Sequence, residues 1–167
     1  MHNIVLLFGD DQFSVHEKLG YWKSAFIKKY EGDTNIDEFD GANSTNEIID
    51  AAETLPFLAE KRLIIVRGFL AQQKADEQKK MAELLSKIPE TCTLIFLENT
   101  SPDKRTSLYK KLQKIARLEE CQTLMGNTLI EWIVQKVTEK NSRIDWNTAT
   151  YLSTLTGSDT WRLKNEI

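Results

Sequence analysis

A chain of 167 residues with a 41% hydrophobic fraction has room for one α/β domain of ordinary size plus a small appendage, and it can build a core without staples. Its 22 basic and 25 acidic residues leave a net charge of -3, which excludes a generally basic nucleic-acid or membrane-surface binder; any such contact must come from a local patch. Two cysteines, Cys92 and Cys121, with no CxxC and only His2 and His16 beside them, exclude an ordinary zinc site, and the apolar run Ile4 to Phe8 is too short for a secretory or membrane segment, so the expected setting is cytoplasm with reduced thiols.

Ile4 to Phe8 reads as a buried strand, after which Leu19, Trp22, Phe26 and Tyr30 recur at helical intervals on one face. Gly32-Asp33 turns the chain into a second strand, Ile36 to Phe39, closed by Asp40-Gly41. A helix is predicted over Asn46 to Leu55, with Ile48, Ile49, Ala52 and Leu55 facing inward and Pro56 as its stop. Arg62 to Val66 forms a third strand, ended by Gly68. Gln72 to Lys87 then predicts a helix carrying Met81, Leu84 and Leu85 on its apolar side, with Pro89 beyond it. Thr93 to Leu97 is the fourth strand. Ser101 as N-cap and Pro102 at the first helical position predict a helix with Leu108, Leu112, Ile115 and Ala116 as its buried stripe, and Arg117 to Cys121 a last strand. Strands alternating with helices are βαβ units, and short strands apolar on both faces predict an α/β fold with a mainly parallel sheet between helix layers.

From Met125-Gly126 onward the alternation gives way to helices alone. Thr128 and Glu131 form a capping-box pattern, Asp145 caps a second helix ending at Thr156-Gly157, and Ser158 or Asp159 starts a third. That third helix reaches Ile167 with no stop signal, which predicts a domain cut short. The expected organisation is an α/β domain over 1–126 and an incomplete helical domain over 127–167.

A strand, turn and helix in this order is where nucleotide-binding proteins keep a phosphate loop, but the turn here is Gly9-Asp10-Asp11-Gln12. It has one glycine and no lysine, and two carboxylates stand where a polyphosphate would sit. Unit charges a few ångströms apart repel by about 4 kcal/mol at an effective dielectric near 20, so Asp10 and Asp11 oppose nucleotide. They are expected either to cap the following helix or, less simply, to bind magnesium. The strand Leu94 to Leu97 ends in Glu98-Asn99, without the Asp-Glu pair that metal-assisted hydrolysis uses, and no Ser/His/Asp or Cys/His set stands out in the sequence, His16 falling within the first helix.

LLFGDDQF, then FDG at Phe39 to Gly41, then AAETLPFLAEKRLIIVRG from Ala51 to Gly68, then PDKRTSLYKKL and a terminal GSDTWRLKNEI stand in the order seen in one family. Over essentially its whole length the chain resembles the delta subunits of the bacterial DNA polymerase III clamp loader. The resemblance implies an AAA+-like domain without a functional phosphate loop, then part of a small helical lid domain, with the family's C-terminal collar domain absent. It implies a cytoplasmic subunit with no catalytic residue, metal or cofactor, which binds the sliding clamp (the beta subunit) and opens it for loading during DNA replication. The DNA-directed DNA polymerase label is that of the complex. Other clamp-loader subunits are expected to join through the collar, and DNA only within the complex, with no membrane.

The family's clamp contact, two adjacent large apolar side chains, aligns with Phe57 and Leu58 in the segment Leu55-Pro56-Phe57-Leu58. Spacing alone leaves open whether the pair is a loop plug under the sheet or an exposed contact; the resemblance implies exposure. Lys104, Arg105, Lys110, Lys111, Lys114 and Arg117 form a basic run, with Lys110, Lys114 and Arg117 expected on one helix face. Such a run is either a solvated surface or a contact for DNA or a neighbouring subunit. Two rival functions stay open: a nucleotide-binding enzyme with a degenerate loop, and a DNA-binding module built on the 104–117 helix.

Overall fold

Five parallel strands in the order β2-β3-β4-β1-β5 form the sheet: β1 (Ile4–Phe8), β2 (Ile36–Asp40), β3 (Arg62–Arg67), β4 (Cys92–Glu98) and β5 (Arg117–Glu120). They come from a computed structural model that describes residues 3–167; His2 lies outside the described residues. All five residues of β1 are buried, as are the inner residues of β3 and β4, because these central strands have helices over both faces. The edge strands β2 and β5 carry the charged residues Asp37, Glu38, Arg117 and Glu119, which discourage pairing with another chain.

One face of the sheet packs Leu6, Ile64, Val66, Leu94 and Phe96 against α2 (Thr45–Glu53), α3 (Phe69–Gln72), α4 (Ala75–Leu84) and α5 (Ser107–Ile115). The other packs Val5, Leu7, Leu63, Ile65 and Ile95 against α1 (Gln12–Tyr30), whose Leu19, Trp22, Phe26 and Tyr30 make the stripe that the sequence spacing predicts, with Val15 joining them. Asp11 caps α1 through the Ser14 N–H. The chain divides into two compact units, Met1–Cys121 and Gln122–Ile167. The second holds α6 (Gly126–Glu139), α7 (Trp146–Thr156) and α8 (Thr160–Glu166) around Leu129, Ile130, Ile133, Ala149 and Leu163, with Asp145 and Asp159 as N-caps.

Four local expectations are corrected. The helix expected over Gln72–Lys87 is broken at Gln73 and Lys74, both extended, and ends in a 3-10 turn at Leu85–Lys87. The break is held by side chains: Gln73 Nε2 donates to the carbonyls of Gly41 and Asn43, and Gln78 Nε2 to those of Leu70 and Gln73. The helix expected at Ser101-Pro102 begins at Ser107 instead, with Thr106 as its cap, because Asp103 accepts the Arg105 N–H in a local turn. Leu55 is not on the inner face of α2, which ends at Glu53. The C-cap Thr54 is already extended, two residues before Pro56, and Leu55 is 81% exposed. At α6 there is no Thr128–Glu131 capping box; the helix starts at Gly126, and the Thr128 hydroxyl donates to the Met125 carbonyl.

Candidate functional site

The most unusual surface of the first unit is the connection between α2 and β3. Phe57 is 66% exposed and Leu58 90%, beside the exposed Leu55. Burying a Leu or Phe side chain is worth about 1.5–3 kcal/mol, so an isolated fold gains nothing from leaving them in water. Yet the backbone beneath them is fastened. Asn35, itself only 8% exposed, accepts the Phe57 N–H at 2.6 Å through Oδ1 and donates from Nδ2 to the Phe57 carbonyl at 2.8 Å. Its side chain thus pairs with Phe57 as a neighbouring strand would. Arg62 Nη1 donates to the Thr54 carbonyl at 2.9 Å, while Nη2 is in an ion pair with Asp37. Leu58 sits at φ 53, a left-handed conformation that costs a leucine about 1–2 kcal/mol. Beside the pair lies a cleft of about 240 Å³ lined by Tyr30, Glu31, Thr34, Asn35, Phe57 and Leu58.

The first loop is turned inward. Gly9 has φ 141, and a Cβ there would meet the Cys121 carbonyl oxygen at 2.0 Å. The N–H groups that a phosphate would need are engaged within the protein: Asp11 to the Cys121 carbonyl, Gln12 to Asp10, Ser14 to the Asp11 carboxylate and Val15 to the Asp11 carbonyl. Gln12 Nε2 donates to the carbonyls of Gly9 and Asn99, tying the loop to the end of β4. Asp11 is buried in its capping role and Asp10 points to solvent.

Glu98, at the end of β4, is buried, with its carboxylate accepting the N–H groups of Leu70 at 2.7 Å and Ala71 at 3.3 Å. It therefore stitches the start of α3 to the sheet. Burial pushes its pKa up to about 7 against the opposing pull of those two amides. Sequence reading saw a polar strand end here and missed the cap, since its partners lie some 27 residues away.

The basic run does not form one surface. Arg117 leaves the helix and belongs to β5, where its guanidinium lies 5.8 Å from the Trp22 ring and pairs with Glu119, so the expected Lys110–Lys114–Arg117 face is corrected. Arg105 is folded onto Asp103, and Lys104 is exposed in the preceding turn. Lys110, Lys111 and Lys114 line a groove of about 410 Å³ between α4 and α5, to which α4 contributes Lys79 and the acidic Glu83. Lys79 was invisible to a reading of consecutive residues. Among the described residues, no group of three His, Cys, Asp or Glu is placed to hold a metal, and no helix is long and apolar enough to cross a membrane.

The sequence model of the DNA polymerase III delta subunit matches residues 5–122. This chain belongs to that family. The delta subunit of Bacillus subtilis DNA polymerase III is 26% identical over an alignment of 161 residues that covers 91% of this chain and 46% of the relative. Among solved structures, the Bacillus subtilis DNA clamp loader delta protein superposes with a TM-score of 0.76 at 22% identity, over 99% of this chain and 52% of that one. Domain III of the Thermotoga maritima replication initiation protein DnaA superposes at 0.51 with 11% identity, over 98% and 73% of the two chains. These likenesses make the fold AAA+-like. The chain spans about half the length of the two Bacillus subtilis proteins it matches.

Proposed function

We propose that this delta-family chain docks on the replicative sliding clamp through Leu55, Pro56, Phe57 and Leu58 and favours the open ring, as a subunit with no catalytic activity of its own. The observation that carries the proposal is the pair Phe57–Leu58, held out into solvent on a backbone that the fold fastens. An apolar pair kept exposed at a strained residue is explained by a partner that buries it. Membership of the delta-subunit family supports the sliding clamp as that partner. The inward-turned first loop supports the absence of ATP chemistry, because its donors already have acceptors and its carboxylates repel phosphate.

In this reading residues 1–126 are the AAA+-like clamp-binding domain and 127–167 the beginning of the lid. Other clamp-loader subunits join this chain in the assembled loader, and the setting is cytoplasmic. A second, lesser contact is favoured by one observation, the convergence of Lys79 with Lys110, Lys111 and Lys114 in one groove, which suits phosphates of DNA inside the assembled loader. The direct test of docking is size-exclusion co-elution of the chain with the clamp of its own organism. Separate elution at micromolar concentrations of both proteins would overturn it.

A further inference from the structure

Resting on that docking reading, we infer that Asn35 is the positioning residue of the site: it holds the loop in its binding conformation before the clamp arrives. The loop from Leu55 to Lys61 has no regular secondary structure of its own. Thr54 is held by its own N–H and hydroxyl on the Asp50 carbonyl and by Arg62, whereas the described hydrogen bonds of Phe57 are the two to the Asn35 side chain. Asn35 itself cannot drift. Its carbonyl accepts the Leu63 N–H at 2.8 Å, and Ile36 next to it begins β2 after bonding back to Asp33. The side chain is buried, so its amide has no water to exchange for Phe57.

The left-handed Leu58 makes the bracket necessary. A leucine released from constraint leaves φ 53 for the extended region, and rotation at that residue carries its side chain away from the direction in which it is presented. Pairing both polar groups of Phe57 fixes the residue immediately before the strained one. A loop that occupies its binding conformation only part of the time loses apparent affinity in proportion to that fraction. Removing two part-buried hydrogen bonds should lower clamp affinity by roughly ten- to hundredfold.

The experiment uses the full chain and the sliding clamp, with Asn35→Ala, the double variant Phe57→Ala/Leu58→Ala, and all three changes together. Asn35→Ala should weaken binding by roughly tenfold or more, and the same change in the double-alanine background should produce no further loss. Hydrogen exchange provides a readout without the clamp: the Phe57 amide should exchange at least about tenfold faster in Asn35→Ala while β1 and β4 keep their protection. Asn35→Asp, which keeps the size and the acceptor but loses the donor to the Phe57 carbonyl, should fall between wild type and Ala and serves if the alanine variant does not fold. Unchanged Phe57 exchange in both Asn35 variants would overturn the inference while leaving docking intact. A full-sized additional loss in the triple variant would overturn it too, since Asn35 would then touch the clamp itself. Undiminished binding by the double-alanine variant would overturn the docking reading, a result that the exchange data keep distinct.

Discussion

Glu98 gives the fold a pH dependence of unusual sign. Its pKa is raised from 4.5 to about 7 by burial, although the Leu70 and Ala71 amides favour the charged form. A raised folded-state pKa means that the folded chain holds the proton more tightly than the unfolded one. The resulting stabilisation is complete below pH 4.5 and is lost as the pH rises through about 7. At about 1.4 kcal/mol for each tenfold in proton affinity, the swing is about 3 kcal/mol. Glu98→Gln removes the titration while keeping the shape, and the amide oxygen still accepts one of the two N–H groups. Glu38, Glu47 and Glu77, whose pKa values are lowered mainly by hydrogen bonds from Lys23, Ser44 and Thr45, lose stability at low pH in both proteins, so they cancel in the comparison. Urea unfolding of wild type and Glu98→Gln at pH 5 and pH 8 should show the difference between them moving by about 2–3 kcal/mol in the variant's favour on going to pH 8. A difference that stays constant would mean that Glu98 is ionised throughout and that the two amides outweigh burial.

Leu58→Gly should raise thermal stability by about 1 kcal/mol, because glycine adopts φ 53 without penalty, and yet weaken clamp binding; a fall in stability would show that the backbone there is unstrained. Calorimetry with Mg-ATP should give no saturable heat, and a micromolar dissociation constant, about -8 kcal/mol, would refute the account of the first loop. Amides late in α8, a helix of 7 residues, should exchange far faster than those of β1 and β4, and protection equal to the central strands would contradict this.

The central strands are legible in the sequence because burial on both faces demands uninterrupted apolar runs, which Ile4–Phe8, Arg62–Val66 and Thr93–Leu97 supply. Caps that act within one turn are equally local: Asp145 is read correctly, Asp159 is one of the two starts the sequence leaves open for the last helix, and the Ser44–Glu47 capping box was there to be found. What escapes is whatever depends on distant partners. No Gly or Pro marks the break at Gln73; carbonyls of Gly41 and Asn43 in another loop hold it open. Asn35 reads as an ordinary residue after a Gly-Asp turn, and its partner lies 22 residues onward. The exposure of Phe57 and Leu58 has the same character. Spacing treats two adjacent apolar residues as core or surface with equal ease, and the resemblance to a clamp-loader family, rather than periodicity, pointed outward.

The central claim is tested most directly by measuring clamp affinity and thermal stability together for the Phe57→Ala/Leu58→Ala variant. Both side chains are largely in solvent, so truncation should change unfolding stability by less than about 1 kcal/mol. Clamp binding should weaken by about 2 kcal/mol or more, which is roughly thirtyfold in dissociation constant. A large loss of stability with clamp affinity intact would contradict the claim and return the two side chains to the core.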